Sequence, residues 1–246
     1  LRGAFMRGYP HPMTTDRKTI TTPDGTTISY LTKGDGPALL LLHGFMSSAK
    51  SWWNIGAAQR LAETHTIIAP DIRGHGQSGR PTDPALYGKQ LLADFVQLMD
   101  HEGHSPAGVI GFSMGAELAL ALAAFHPDRV SSLTLAGSGW SPPEIIDEYR
   151  KWYDALATSS DNPEALRALI EGVPDFTGLP HDVIAALPMQ VNGIIGALDD
   201  ERPYMERIAE ARPAFKPVIL PDLDHLGTWK SQALVDFLVR VATKSA

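Results

Sequence analysis

The chain has 246 residues, carries a formal net charge of −7 at pH 7 and contains no cysteine. This length predicts one domain. The acidic balance, without clusters of Lys or Arg, argues against nucleic acid or an anionic membrane as a partner. The lack of cysteine excludes disulfides and thiolate metal ligands. No segment approaches the roughly 18 apolar residues of a membrane span, and we expect a cytoplasmic protein.

Residues 1–18 are predicted to be a flexible tail, since they lack an apolar core of signal-peptide length. The ordered core is predicted over 19–139 and 189–246. It opens with an edge hairpin, because polar and apolar residues alternate in "TTISYLTKGD" beside the turn dipeptide Asp24-Gly25. A buried strand in "PALLLLHG", one helix in "SSAKSWWNIGAAQRLAE" and another strand in "HTIIAPD" follow.

Helix-like and strand-like runs continue to alternate after that point. The chain reads as a helix in "YGKQLLADFVQLMDHEG", a strand in "PAGVIGFS", a Leu/Ala-rich helix and a strand in "VSSLTLAGSG". Because these strands are continuously apolar, both of their faces should be covered. The alternation therefore predicts an α/β fold with a mostly parallel, twisted sheet of about eight strands and helices on both faces.

Residues 140–188 break this rhythm with three short helical segments and no strand, which predicts a helical lid inserted above the sheet. The first segment places apolar residues at helical spacing: Ile145, Ile146, Tyr149, Trp152, Tyr153 and Leu156. We take Trp140, Ile145 and Tyr149 as candidate substrate-binding residues. Packing of the lid onto the body is the alternative role. The core pattern then resumes with strands in "MQVNGIIGALDD" and "FKPVILPD" and helices around "YMERIAEAR" and "SQALVDFLVRVATK".

A serine bracketed by glycines marks the point where one predicted strand becomes a helix. Gly111, Ser113 and Gly115 form the pattern G-x-S-x-G in that context, which is typical of a nucleophilic serine on a tight, strained turn. Side chains at the two glycines would collide with the neighbouring strand and helix. The turn should raise the Ser113 hydroxyl at the carboxyl edge of the sheet, beside a helix N-terminus that favours negative charge.

A nucleophilic serine needs a base, and the base needs a third group to hold its tautomer. His225 is the candidate base, because it follows the last predicted strand and so lies at the same sheet edge as Ser113. The other eight histidines lie in the tail, beside helices, in the HGF tripeptide, in the loop after "HTIIAPD" or in the insertion, where structural or solvated roles are expected. "DHEGH" lacks the His-Glu-x-x-His spacing, and we expect neither a metal nor a cofactor.

Two adjacent aspartates, Asp199 and Asp200, are candidates for the third group. They follow the strand immediately before the one that leads to His225, so either carboxylate could reach the histidine. Asp222 and Asp224 share the loop of His225 and are badly placed to bond its outer nitrogen. The end of the sixth predicted strand is the alternative position for the acid, but the first acidic residue after that strand is Glu144.

Two backbone amides are candidates for an oxyanion hole. His43-Gly44-Phe45 follows the apolar run "ALLLL" and can place the N–H of Phe45 over the nucleophile. The N–H of Met114 would supply the second donor. His43 itself is expected to brace the loop and not to react.

These motifs occur in a specific order along the chain: "HGF", "DIRGHGQS", "GFSMG", "GALDD" and "DH". In this order the sequence, from about Thr19 to Val241, resembles the α/β-hydrolase superfamily, in particular its serine-esterase-like branch with a short helical lid. The resemblance implies that the acid stands three residues beyond Gly196, at Asp199. It also implies that the segment from Asp71 to Ser78, with Arg73, Gly74 and Gly76, shapes a loop behind the oxyanion site.

The resemblance implies hydrolysis of a small carboxylic ester through an acyl-enzyme. The predicted lid has fewer than about fifty residues, so we expect a small apolar pocket that suits short or medium acyl groups. Epoxide hydrolases and dehalogenases of this superfamily carry aspartate where this chain has Ser113, so those activities are disfavoured. Ala116 departs from the second glycine of many relatives without touching a catalytic role. Thioester, lactone or carbon–carbon bond hydrolysis and cofactor-free perhydrolysis remain alternatives. So does a small-molecule receptor with a retained triad. The oligomeric state is left open.

Overall fold

The computed structural model describes residues 15–172 and 178–245. Its eight strands form one sheet in the order β1-β2-β4-β3-β5-β6-β7-β8. β2 pairs antiparallel with both of its neighbours, and all other pairs are parallel, which confirms the predicted sheet. The strands are β1 (Asp16–Thr21), β2 (Thr27–Lys33), β3 (Ala38–Leu42), β4 (Thr66–Pro70), β5 (Ala107–Phe112), β6 (Val130–Ala136), β7 (Gln190–Gly196) and β8 (Val218–Leu220).

Ten α-helices are found in the described part of the chain. They are α1 (Lys50–Asn54), α2 (Ala57–Leu61), α3 (Lys89–His101), α4 (Met114–Phe125), α5 (Ile146–Ala157), α6 (Pro163–Gly172), α7 (His181–Ala186), α8 (Arg202–Ala211), α9 (His225–Lys230) and α10 (Gln232–Ser245). None of these helices has the length and apolar character that crossing a bilayer requires.

Two hydrophobic cores cover the two faces of the sheet, and β3 shows why its sequence is continuously apolar. Leu40 and Leu42 pack with apolar residues of α3, α4 and α8 on one face. Leu39 and Leu41 pack with residues of α1, α2 and α10 on the other. Successive strand residues point to opposite faces, so a strand buried on both sides needs an apolar residue at every position.

The segment predicted as one helix around Trp52 is two short helices in the structure. Gly56 separates them with a backbone φ of +79°, a conformation that ends a right-handed helix and that glycine adopts without strain. The apolar spacing continues across the break, which is why periodicity alone predicted a single helix.

The first strand begins at Asp16, earlier than the predicted start of order near Thr19. Asp16, Arg17 and Lys18 pair with Thr32, Leu31 and Tyr30 of β2. This polar edge is held by side chains from distant parts of the chain: Arg17 bonds a carboxylate at 2.8 Å and Lys18 another at 3.1 Å. The sequence did not predict this part of the strand, because its residues are polar and do not alternate with apolar ones. The rest of the predicted tail, residues 1–14, lies outside the described residues.

α5, α6 and α7 lie between β6 and β7, where three helical segments were predicted. α5 and α6 build a third, smaller core from Tyr149, Tyr153, Ala157, Leu166 and Ile170, and Phe45 packs against it. Tyr153 makes the closest ring contact, with 4.6 Å between its centroid and that of Phe45. The helical segment is therefore packed on the loop that carries Phe45. Its role as a lid stays a prediction, and residues 173–177 of it lie outside the described residues.

Candidate active site

Ser113 stands on a strained turn between β5 and α4. Its φ of 56° and ψ of −126° are a conformation that residues other than glycine rarely adopt. A Cβ on Gly111 would lie 2.0 Å from the carbonyl oxygen of Gly115, and one on Gly115 would lie 2.1 Å from that of Leu42. Both glycines are thus required by close backbone approach, one to the helix and the other to β3. The Ser113 side chain is left partly exposed at the carboxyl end of β5.

His225 begins α9 and contacts Asp199, which follows β7. The distance between His225 Nδ1 and Asp199 Oδ2 is 2.9 Å; the carboxylate is 1% exposed and the imidazole 30%. An ionised carboxylate only accepts hydrogen bonds, so Nδ1–H donates and Nε2 keeps its lone pair. Burial lowers the pKa of His225, but the hydrogen bond and charge of Asp199 outweigh it, and the pKa is raised above its ordinary value.

The competing aspartates are directed elsewhere. Asp200 is exposed. Asp224 caps α9, because its Oδ1 accepts the N–H of Gly227 at 2.7 Å. Asp222 is exposed and has a φ of 58°. Of these four aspartates, only Asp199 contacts the histidine.

Phe112 links the histidine to the serine turn. Its ring centroid lies 4.9 Å from that of His225, and Ser113 is the next residue. A Cβ on Gly137, just after β6, would lie 3.3 Å from Cε1 of His225. The imidazole is therefore packed at the carboxyl ends of β5 and β6, the edge to which Ser113 belongs.

His43 fixes the loop that carries Phe45. Its Nδ1 lies 2.8 Å from the carbonyl oxygen of Gly44, and its Nε2 accepts the N–H of Ile72 at 3.0 Å. The proton is thus on Nδ1, and burial lowers the pKa to about 4, which keeps the ring neutral. Ser47 N–H also donates to Gly44. This structure agrees with the predicted bracing role.

The clamp on Gly44 sets the direction of the Phe45 amide. In a trans peptide the N–H points opposite to the carbonyl, so it is directed away from His43. A Cβ on Gly44 would lie 3.3 Å from Cβ of Ser113, so this backbone passes directly beside the nucleophile turn. Neither the Phe45 nor the Met114 N–H donates to a group in the described part of the chain. Met114 opens α4, where the first amides have no helical acceptor.

The loop from Asp71 to Ser78 is held by buried polar contacts. Asp71 accepts the N–H groups of Ala49 at 2.8 Å and Gln77 at 3.0 Å. Gly76 has a φ of +52°, and a Cβ there would lie 2.3 Å from the Asp71 carboxyl carbon. Ser78 accepts the N–H of Ser29 at 2.9 Å. These contacts are structural, as the resemblance implies for this loop.

The three candidate substrate-binding residues are placed differently from one another. Trp140 is buried, donates its indole N–H to Leu179 at 2.8 Å, and lies under the Arg207 guanidinium, 4.0 Å away. Tyr149 is also buried and donates its hydroxyl proton to a carboxylate of the protein. Only Ile145 is half-buried, against the third core. Trp140 and Tyr149 are therefore core residues in the structure. Their burial is tolerated because the indole N–H and the phenol hydroxyl both have hydrogen-bond partners inside the fold.

Two glutamates close to this site were not anticipated from the sequence. Glu117 lies one turn into α4, and Glu201 lies two residues after Asp199. Their side chains converge on Ser138. The position of Glu117 directly before the apolar run "LALALAA" is a signal that could have singled it out, because an ionisable group on a buried helix requires a partner.

Comparison with known proteins supports the fold described above. A model of the alpha/beta hydrolase fold matches residues 37–178. A 2-hydroxymuconate semialdehyde hydrolase of Pseudomonas sp. is 38% identical over 162 residues, 65% of this chain and 55% of that protein. A soluble epoxide hydrolase of Corynebacterium sp. is 39% identical over 111 residues, 45% of this chain and 37% of that protein.

A solved structure from work on carboxylesterases of the thaumarchaeon Nitrososphaera gargenis has the same fold. It superposes with a TM-score of 0.78 at 20% identity and covers 93% of this chain and 100% of that chain. The protein therefore belongs to the α/β hydrolase fold family. The chain spans between about a third and just over half of the length of the curated relatives it matches.

Proposed function

We propose that the protein is a serine hydrolase that cleaves small carboxylic esters through an acyl-enzyme. The observation that carries the proposal is the 2.9 Å contact between Asp199 and His225, packed against the turn that exposes Ser113. A buried carboxylate that orients an imidazole next to a strained serine is the arrangement that activates a hydroxyl nucleophile.

In this mechanism His225 Nε2 takes the proton of the Ser113 hydroxyl as the serine oxygen attacks the ester carbonyl. Asp199 holds the Nδ1–H and stabilises the imidazolium that forms. The backbone N–H groups of Phe45 and Met114 stabilise the oxyanion. His225 then returns the proton to the leaving alcohol, and water hydrolyses the acyl-Ser113 ester by the same route.

A fluorophosphonate tests the nucleophile directly. We expect one adduct, on Ser113, because an unactivated serine does not react with this reagent. Ser113→Ala should lose the adduct and nearly all esterase activity while its thermal unfolding stays close to that of wild type. The matched control is Ser131→Ala, an exposed serine near the opposite end of the parallel strands, in β6. An adduct on another residue would contradict the proposal.

The substrate is proposed to be a small apolar ester with a short or medium acyl group. The close packing of the helical segment on the Phe45 loop supports this size. The ring centroids of Tyr153 and Phe45 are 4.6 Å apart. A series of p-nitrophenyl esters of increasing chain length should give the highest kcat/KM for the short members. A rise in kcat/KM toward long chains would count against this size limit.

Hydrolysis of a carbon–carbon bond beside a ketone is the second candidate. It is favoured by the relative named for hydrolysis of 2-hydroxymuconate semialdehyde, which is 38% identical over 65% of this chain. Assay of that semialdehyde beside the esters distinguishes the two, and repeating the ester series with peroxide tests perhydrolysis. Slow, single-turnover cleavage of every compound would instead indicate a receptor.

A further inference from the structure

Five side chains form a closed ring of polar contacts beside the proposed active site; we call it the carboxylate ring. Ser138 Oγ lies 3.0 Å from Glu201 Oε2 and 3.5 Å from Glu117 Oε1. Ser141 Oγ lies 2.6 Å from Glu117 Oε1 and 3.4 Å from the Tyr149 hydroxyl. The Tyr149 hydroxyl closes the ring on Glu201 Oε2.

The ring does not contain enough protons if both carboxylates are ionised. Three hydroxyl groups supply three protons for five oxygen–oxygen contacts, and these protons fill the three short contacts. The two longer contacts, Ser138 to Glu117 at 3.5 Å and Ser141 to Tyr149 at 3.4 Å, would then bring lone pairs together. A proton on one carboxyl group satisfies a fourth contact and removes the repulsion between two charges.

The two glutamates are not paired with Lys or Arg among the described residues. None of the ion pairs in the described part of the chain includes Glu117 or Glu201. Burial, together with the charge of Glu201, raises the pKa of Glu117 to about 8. Burial also raises the pKa of Glu201, although its hydrogen bonds oppose this. Other titratable groups facing the ring are Asp199, His225, Tyr153 and Tyr204.

The ring joins three elements that build the site. Glu117 belongs to α4, whose first turn follows Ser113. Glu201 donates its backbone N–H to Asp199 Oδ1 at 3.1 Å. Tyr149 belongs to α5, which also carries the residue packed on Phe45. A change in the ring therefore reaches the nucleophile helix, the acid loop and the cover of the oxyanion loop together.

We propose that Glu117 and Glu201 share a single proton, and that the protonated ring positions the Ser113 helix, the Asp199 loop and α5 relative to one another. The glutamates are positioning residues, and this role rests on the proposed hydrolase function. When the shared proton is lost, two negative charges repel inside the ring and one hydrogen bond is removed. α5 and the Asp199 loop then separate, so kcat falls.

Glu117→Gln separates this role from simple packing. The amide keeps the shape and can both donate and accept, but only one ionisable carboxyl remains, so no second charge can form. For wild type we expect kcat, normalised to its maximum, to fall about tenfold per pH unit above a pH of about 8. Glu117→Gln should lose this decline. Glu148→Gln, which removes an exposed carboxylate of α5, should retain it.

Two measurements decide the proposal without any substrate. Infrared difference spectra of wild type should show a protonated carboxyl band that disappears as the pH passes about 8, and Glu117→Gln should lack that band. Over the same range, hydrogen exchange of the α5 amides, corrected for intrinsic rates, should accelerate in wild type and in Glu148→Gln but not in Glu117→Gln.

The outcomes separate the ring from the proposed function. Absence of the carboxyl band, or equal α5 exchange in wild type and Glu117→Gln, would overturn the shared proton or its positioning role whatever the enzyme does. An alkaline decline of kcat that persists in Glu117→Gln would also overturn it. Failure of Ser113 to react with a fluorophosphonate would reject the serine hydrolase instead, and the infrared and exchange results would still stand.

Discussion

At the scale of single residues, the Asp199 carboxylate is held at both of its oxygens. Oδ2 contacts His225 Nδ1 at 2.9 Å, and Oδ1 accepts the N–H of Glu201 at 3.1 Å. Because these two hydrogen bonds point in different directions, they fix the orientation of the carboxylate. The neighbouring Asp200 has an exposed side chain and no such constraint. The two aspartates are thus a matched pair for testing the acid.

Asp199→Asn should reduce kcat by up to about ten-thousand-fold, because an amide can present its NH₂ to Nδ1 and select the wrong imidazole tautomer. Asp200→Asn should have little effect on kcat. Steady-state kinetics with a short p-nitrophenyl ester measures both, and circular dichroism confirms that each variant folds. The reverse order of losses would assign the acid to Asp200.

The pKa of His225 sets the acidic side of the activity profile. The imidazole must be neutral to accept the serine proton, so kcat/KM should rise with pH. Because Asp199 raises the pKa of His225, the rise should be centred above the ordinary histidine value of about 6.5. In Asp199→Asn the rise should move to lower pH. A kcat/KM that falls between about pH 5 and about pH 8, the range in which histidine titrates, would contradict a histidine base.

The same shift predicts how stability depends on pH. A raised pKa in the folded state stabilises the protein when His225 is protonated. This contribution is complete below the unfolded pKa of about 6.5 and is lost as pH rises through the folded value. The difference in unfolding free energy between wild type and Asp199→Asn should therefore shrink with rising pH.

At the scale of elements, three backbone segments meet without room for side chains. Gly111 of β5 lies against the first turn of α4, and Gly115 of α4 lies against the carboxyl end of β3. The strained turn at Ser113 can form only because the helix begins this close to both strands. The position of the nucleophile is thus a packing property of β3, β5 and α4 together.

Gly115→Ala should therefore be strongly destabilising. Its Cβ would lie 2.1 Å from the Leu42 carbonyl oxygen and 2.7 Å from that of His43, and these are backbone atoms that a rotamer change cannot move. We expect a loss of about 3 kcal/mol or more, at the upper end of overpacking effects. Ala116→Gly, one position further along α4, should cost only about 1 kcal/mol. Equal losses in urea unfolding would show that the close approach is not limiting.

At the scale of the whole molecule, Arg73 joins distant parts of the chain. Its guanidinium is fully buried and bonds Asp94 of α3 at 2.7 Å and Asp24 of the β1–β2 turn at 2.5 Å. It also donates to the carbonyl of Leu86 at 2.9 Å. The loop after β4, the edge hairpin and α3 are thus tied together by one side chain.

Arg73→Met should destabilise the fold by about 3–5 kcal/mol, because it leaves the buried carboxylate of Asp94 without its cation and also removes the partner of the partly exposed Asp24. Arg60→Met is the matched control: Arg60 pairs with Asp236 on the surface, where water already solvates both groups. It should shift the urea midpoint very little. Similar midpoint shifts for the two variants would indicate that the buried pairs do not hold the hairpin and loop together.

Local patterns were sufficient for most of the fold. The apolar runs of β3 to β7 and the apolar spacing of α3 and α10 predict these elements. A continuous apolar run fits a strand buried on both faces, and apolar residues three or four apart fit a helix buried on one side. The same locality explains the errors. β1 is held at Asp16 by pairing with β2 and by distant carboxylates, and Gly56 interrupts a spacing that continues on both sides. Neither feature leaves a periodic signal.

By itself the sequence determined that Ser113 occupies a turn requiring Gly111 and Gly115, and that His225 and two aspartates follow neighbouring strands. These conclusions need only steric exclusion and the rule that parallel strands end at one edge. The tertiary structure brings Asp199, the acid that the resemblance implied, into contact with His225. It alone decided that Trp140 and Tyr149 are core residues and that Glu117 and Glu201 converge. Contacts between residues far apart in the chain depend on how the elements pack against one another. No local pattern of residues encodes that packing.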